Sequence, residues 1–109
     1  MFILRLTYLK GLDQVDALMS EHREYLERNY REGVFLLSGR LVPRTGGVIL
    51  ATGDDLDAIT AITQTDPFFT AGIARYEFTQ LTPTAASTFL HEGLVAAGVE
   101  GVSAIQPAT

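Results

Sequence analysis

A chain of 109 residues, 47% hydrophobic and 19% charged, has the length of one domain and enough apolar residues for a buried core. It has no cysteine, which excludes disulfides, thiol nucleophiles and Cys-ligated zinc or iron–sulfur centres, and its two histidines are too few for a His-rich metal site. The net charge of −5, the pI of about 4.8 and the lack of a Lys/Arg run interleaved with aromatics disfavour nucleic-acid binding through phosphate neutralisation. The N-terminus MFILRLTYLK shows no basic segment followed by a small-residue cleavage site. No apolar run approaches the length needed to cross a bilayer, so no membrane partner is expected. A cytoplasmic home is the expectation.

In chain order, Phe2 to Leu9 reads as a strand and Lys10 to Asp13 as a turn. Gln14 to Glu32 reads as a helix, with Asp13 as its N-cap and Gly33 just past its end. Val34 to Leu41 is a second strand, Pro43 to Gly47 a loop and Val48 to Ala51 a third strand. The Gly46-Gly47 pair is hairpin chemistry rather than a phosphate loop. Asp54 or Asp55 caps a second helix carrying Leu56, Ile59 and Ile62 on one face, and Pro67 stops it. After the apolar connection around Phe68 and Phe69, Ala74 to Leu81 is the fourth strand. The order β-α-β-β-α-β is the ferredoxin-like, split βαβ plan: an α+β fold with an antiparallel sheet and both helices on one face.

That plan leaves the other sheet face bare, and a solvated face should alternate cleanly with polar residues. Here Ile3, Leu9, Phe35, Leu37 and the apolar third strand break the alternation. A second copy covering that face, giving a two-fold homodimer, is the economical solution; the alternative is that the C-terminal segment covers it. We divide the chain into a domain at 1–83 and an extension at 84–109. In the extension, Thr84 to Ala97 could form a short helix with Phe89, Leu90, Leu94 and Val95 on its apolar side, followed by an extended end.

The candidate chemistry starts at His22. Advancing about 100° per residue along the first helix points Val15, Leu18, His22, Tyr25 and Leu26 the same way. A titratable imidazole is thus aimed at the interior, where it can act as a general base or sit as a structural core histidine. Asp66 falls one heptad after Ile59, on the inward side of the second helix. Either it caps the turn before Pro67, or it bonds an imidazole, fixing the tautomer and freeing the other ring nitrogen as a base.

The segments EHREYL around His22, EGVFLLSGRLVP at the second strand and DPFFTAGIARYEFTQLTP from Asp66 resemble, in order and spacing, the YciI-like (YCII-related) family over Met1 to Pro83. The resemblance implies a ferredoxin-like fold forming dimeric α/β barrels. It also implies an active site at a histidine–aspartate pair, here His22 and Asp66, in a cleft between helices and sheet. A few members act on aromatic compounds, including a dehydrochlorinase of a chlorinated hydroquinone, whereas most have no established reaction.

Ser38 and Arg40 are weaker, substrate-binding candidates. Ser38-Gly39 matches a small-residue step of the family, and Arg40 stands where the family often has proline. Arg40 could hold an anionic substrate group by a charge-assisted bond; the plainer reading is a solvated strand-end charge or an ion pair. Ser38 has no base beside it in sequence, so it is not read as a nucleophile. An inward Arg5 could bind an anion or pair across the dimer. The four tyrosines read as core or interface aromatics and His91 as a surface residue.

Two hypotheses follow. One is a small dimeric enzyme, a lyase or isomerase without metal or organic cofactor, in which the His22–Asp66 pair moves a proton on a small cyclic or aromatic molecule. The other is a non-catalytic binding or assembly module whose His–Asp bond is structural.

Overall fold

The computed structural model describes residues 1–108. Its elements in chain order are β1 (Phe2–Tyr8), α1 (Leu12–Ala17), α2 (Met19–Arg31), β2 (Phe35–Arg40), β3 (Gly46–Ala51), α3 (Leu56–Thr63), α4 (Pro67–Thr70), β4 (Ala74–Gln80), β5 (Ala85–Ser87), α5 (Thr88–Ala96) and β6 (Ser103–Ile105). The main sheet has the order β2-β3-β1-β4 with every pair antiparallel. That is the ferredoxin-like arrangement, with the helices on one face.

Strand alternation builds the core. Along β1, Phe2, Leu4 and Leu6 are buried, and they pair laterally with Ala51, Ile49 and Gly47 of β3. Val15, Tyr25, Ile59 and Phe68 close over them from the helices. The outer face is divided. Its β2–β3 side carries Leu37, Val48 and Leu50, with Leu37 60% exposed. Its β4 side carries Arg75, Glu77 and Thr79. Arg5 is on this outer face, opposite Glu77, and not inward as expected, because it alternates with the buried Leu4 and Leu6.

The expected first helix is two helices. Leu18 leaves the helical region (φ −109°, ψ 8°), although neither glycine nor proline occurs between Leu12 and Glu32. The N-cap of α1 is Gly11, and Asp13 lies in the first turn, where a carboxylate suits the helix dipole. Gly33, at φ 76°, ends α2 as expected.

The loop between β2 and β3 is shorter than expected, since both glycines belong to β3. A Cβ on Gly46 would run into the Leu6 carbonyl, so only glycine lets the strands approach there. The second helix ends at Thr63, and Pro67 does not merely stop it: Pro67 opens the one-turn α4.

The extension forms its own two-stranded parallel ladder, β5 with β6, bridged by α5. Only Leu94 of the predicted apolar side is buried; Phe89, Leu90 and Val95 are exposed. Among the described residues, the helix α5 packs mainly on β5 and β6 rather than across the main sheet. His91 is not a free surface residue: its Nε2 lies 2.9 Å from the Val102 carbonyl.

Candidate active site

Asp66 is placed by its backbone. It is the N-cap of α4, with φ −68° and ψ 125°, and its Oδ1 accepts the Phe68 N–H at 2.9 Å. The same Oδ1 lies 2.8 Å from His22 Nδ1. The two alternatives left open by the sequence therefore coexist, since one carboxylate caps a helix and engages the imidazole. Asp66 is wholly buried and His22 nearly so.

The other carboxylate oxygen, Oδ2, accepts the Tyr76 hydroxyl at 2.5 Å, and the Tyr25 and Tyr76 phenol oxygens are 3.2 Å apart. Tyr76 has one hydroxyl proton and the carboxylate takes it, so the Tyr25 hydroxyl donates to Tyr76. Burial, reinforced by the neighbouring Tyr25 and Asp66, pushes the Tyr76 phenol far above its ordinary range. Burial likewise raises Tyr25. Both phenols remain neutral donors.

Asp66 thus receives an amide N–H and a phenol O–H, and Nδ1 of a neutral His22 completes the set by donating its proton. This fixes the tautomer and leaves the Nε2 lone pair free. Nε2 has no partner among the described residues, and no enclosed side-chain nitrogen or oxygen there lacks one, so Nε2 is open to solvent. The ring lies flat on Phe68, with centroids 4.0 Å apart and planes 5° from parallel. Phe68 is in turn braced edge-on by Tyr8 at 6.1 Å.

His22 forms part of the wall of a cavity of about 390 Å³ between α2 and the β2–β3 hairpin. Met19, Arg23 and Leu26 line it from α2, Ser38, Gly39 and Arg40 from β2, Gly47 and Ile49 from β3, and Phe68 from α4. Gly47 pairs with Leu6 and Arg40, and a Cβ there would lie 2.9 Å from the Gly39 carbonyl oxygen.

A β-bulge brings Ser38 here. Phe35 pairs with Ala51 and Leu37 with Leu50, so Leu36 is an extra residue. Past it the alternation reverses, and Ser38 joins buried Phe35 and Ile49 on the helix side. Strict alternation would group Ser38 and Arg40 with Val34 and Leu36, opposite Phe35; the bulge reverses that. The Tyr30 hydroxyl donates to Ser38 Oγ at 2.5 Å.

All four candidates, His22, Asp66, Ser38 and Arg40, therefore belong to one neighbourhood, with Asp66 behind His22. Sequence reasoning missed the role of Tyr76, which is remote from Asp66 on another element, and the lining residues Arg23, Arg44 and Asp16. Arg44 Nη2 bonds Asp16 Oδ1 at 2.5 Å, and this hydrogen bond holds the Asp16 carboxyl below its ordinary range. Among the described residues, no three His, Cys, Asp or Glu side chains gather as a metal ligand set.

A ferredoxin-like α+β domain with a cleft between helices and sheet is the class that fold and site define. The chain belongs to the YCII-related domain family, whose model matches residues 1–82. The structure is similar to that of the 5-chloro-2-hydroxyhydroquinone dehydrochlorinase of Burkholderia phenoliruptrix, solved in complex with 2,5-dihydroxybenzoquinone. The TM-score is 0.64 at 18% identity, over 75% of this chain and 93% of that one. Such a likeness shows the shared fold. No curated protein matches the chain.

Proposed function

We propose that the protein is a small dimeric enzyme that moves a proton with its own side chains on a small cyclic or aromatic molecule, as a lyase or isomerase. The observation that carries this reading is the His22 geometry: Nδ1 is committed to Asp66 and Nε2 is open beside the cleft. Nε2 takes a proton from a carbon or oxygen of the substrate, and the electron pair stays on the substrate. In an elimination that pair drives out a leaving group as its anion. In an isomerisation the imidazolium returns the proton to a different atom. Asp66 orients the ring and stabilises its charged form, while Ser38 and Arg40 contact the substrate from the β2 wall. The structural neighbour, a dehydrochlorinase of a chlorinated hydroxyhydroquinone, supports the substrate class by analogy.

The dimer is supported by the apolar half of the outer face, around Leu37, Val48 and Leu50. Two copies would pack their sheets there to make the dimeric barrel. The division at residue 83 and a cytoplasmic home, which suits a chain without cysteine, belong to the same reading.

The test is turnover of purified protein against small cyclic and aromatic compounds, with and without EDTA. We expect activity that ignores EDTA, rises with pH as the imidazole loses its proton, and is lost in His22→Gln with the fold retained. Full activity in His22→Gln, or abolition by EDTA, would contradict the mechanism. Loss of stability alone would favour a binding module with a structural His–Asp bond. For the dimer, light scattering should show twice the 11.9 kDa chain mass, and Leu37→Glu should shift it to monomer.

A further inference from the structure

The chain carries 13 acidic residues against 8 lysines and arginines, yet three of those eight, Arg23, Arg40 and Arg44, line the one cleft beside His22. Asp16 is the single carboxylate residue in that lining, and it is engaged with Arg44. Arg23 and Arg40 make no ion pair among the described residues. Two uncompensated guanidinium groups thus stand on facing walls, Arg23 on α2 and Arg40 on β2, and the bulge at Leu36 is what turns the Arg40 end of the strand to this side. Against a net negative chain, like charges gathered around a concave surface form an anion trap. The remaining lining, with Met19, Leu26, Ile49 and Phe68, is apolar, and about 390 Å³ is near the lower end of ligand cavities, the scale of a single ring.

We infer that this cleft selects a single-ring compound bearing an anionic group, carboxylate or phosphate, which Arg23 and Arg40 bind while the ring occupies the apolar part beside His22 Nε2. Guanidinium groups suit either anion through paired N–H donors. Arg44, tethered by Asp16, shapes the rim and adds less. The inference rests on the cleft being the substrate site proposed above. It does not require His22 to be the base.

Calorimetric titration of the full chain with benzoate, phenyl phosphate and the neutral benzamide tests it. At least one of the two anions should bind about tenfold or more tightly than benzamide, the worth of one charge-assisted bond. Its affinity should fall as sodium chloride is raised. Arg40→Gln and Arg23→Gln, both at exposed positions that leave the fold intact by circular dichroism, should each weaken the preferred anion by about tenfold and leave benzamide unchanged. The preferred probe separates a carboxylate site from a phosphate site. His22→Gln should still bind the anion, so failure of the catalytic reading would leave this result standing. Equal affinity for anion and amide, no binding of either anion, or indifference to both arginine substitutions would overturn the inference.

Discussion

Two aspartates meet basic side chains at this cleft, and they are held in opposite ways. Asp16 and Arg44 are 2.5 Å apart with their side chains 58% and 28% exposed, whereas Asp66 and His22 are 2.8 Å apart with theirs 0% and 10% exposed. Distance alone would rank the surface pair first. Burial reverses the order, because water can replace Arg44 as a partner of Asp16 but cannot reach Asp66. Asp66 has also become the shared acceptor of three elements: the N-terminus of α4, α2 through His22 and β4 through Tyr76. The lesson is that a carboxylate matters by how many otherwise unpartnered donors it serves.

The largest effect should come from Asp66→Ala. It leaves the Phe68 amide, the Tyr76 hydroxyl and His22 Nδ1 without their acceptor, and should cost at least about 3 kcal/mol in a urea titration, since each buried donor left unsatisfied costs about 1–3 kcal/mol. Asp66→Asn should cost less, because an amide oxygen can still accept from the Phe68 N–H and from Nδ1. If the alanine variant were as stable as the parent, the shared-acceptor account would fail.

A smaller effect belongs to Tyr76→Phe. It removes one donor to Asp66 and the acceptor of Tyr25, and should cost about 1–2 kcal/mol by the same titration. The phenols also set an alkaline limit. Their folded values are raised by burial, so the folded state holds those protons more tightly than the unfolded chain. That contribution is fully present below the unfolded tyrosine value of about 10 and is lost as pH rises beyond it. Ultraviolet titration should therefore show Tyr25 and Tyr76 ionising only together with unfolding. Their ionisation in a folded protein would contradict their placement.

Asp16→Ala should have the smallest effect, with no change in thermal midpoint resolvable at moderate salt. Any destabilisation at low salt should vanish in about 1 M sodium chloride, where charges are screened within about 3 Å. The sign with pH is also fixed. The Asp16 carboxyl is lowered in the folded state, so whatever it adds is present at neutral pH and fades on acidification. A large, salt-insensitive loss in Asp16→Ala would break the contrast with Asp66.

The same contrast marks what the sequence made legible. Element order followed from glycine and proline punctuation and from the period of the apolar residues, and helical spacing turned His22 inward. Asp66 was visible as a candidate, but its role was not. Pro67 reads equally as a stop and as the first residue of a new helix, and only the second makes Asp66 an N-cap. The bulge hides in VFLL, where four consecutive apolar residues give no alternation to interrupt, so nothing there shows that Phe35 and Ser38 share a face. The break at Leu18 has no glycine or proline to announce it. Tyr76 bonds Asp66 from ten residues away, across the turn from α4 into β4. That is a tertiary fact, which no local pattern carries.

The central claim is that Asp66 holds His22 with its proton on Nδ1 and its lone pair on Nε2. Nitrogen-15 NMR of the two histidine rings, at a pH where imidazole is neutral, measures this directly, and His22→Gln identifies the signal. The account predicts a protonated Nδ1 and a lone-pair Nε2 for His22. A His22 carrying its proton on Nε2 would contradict it.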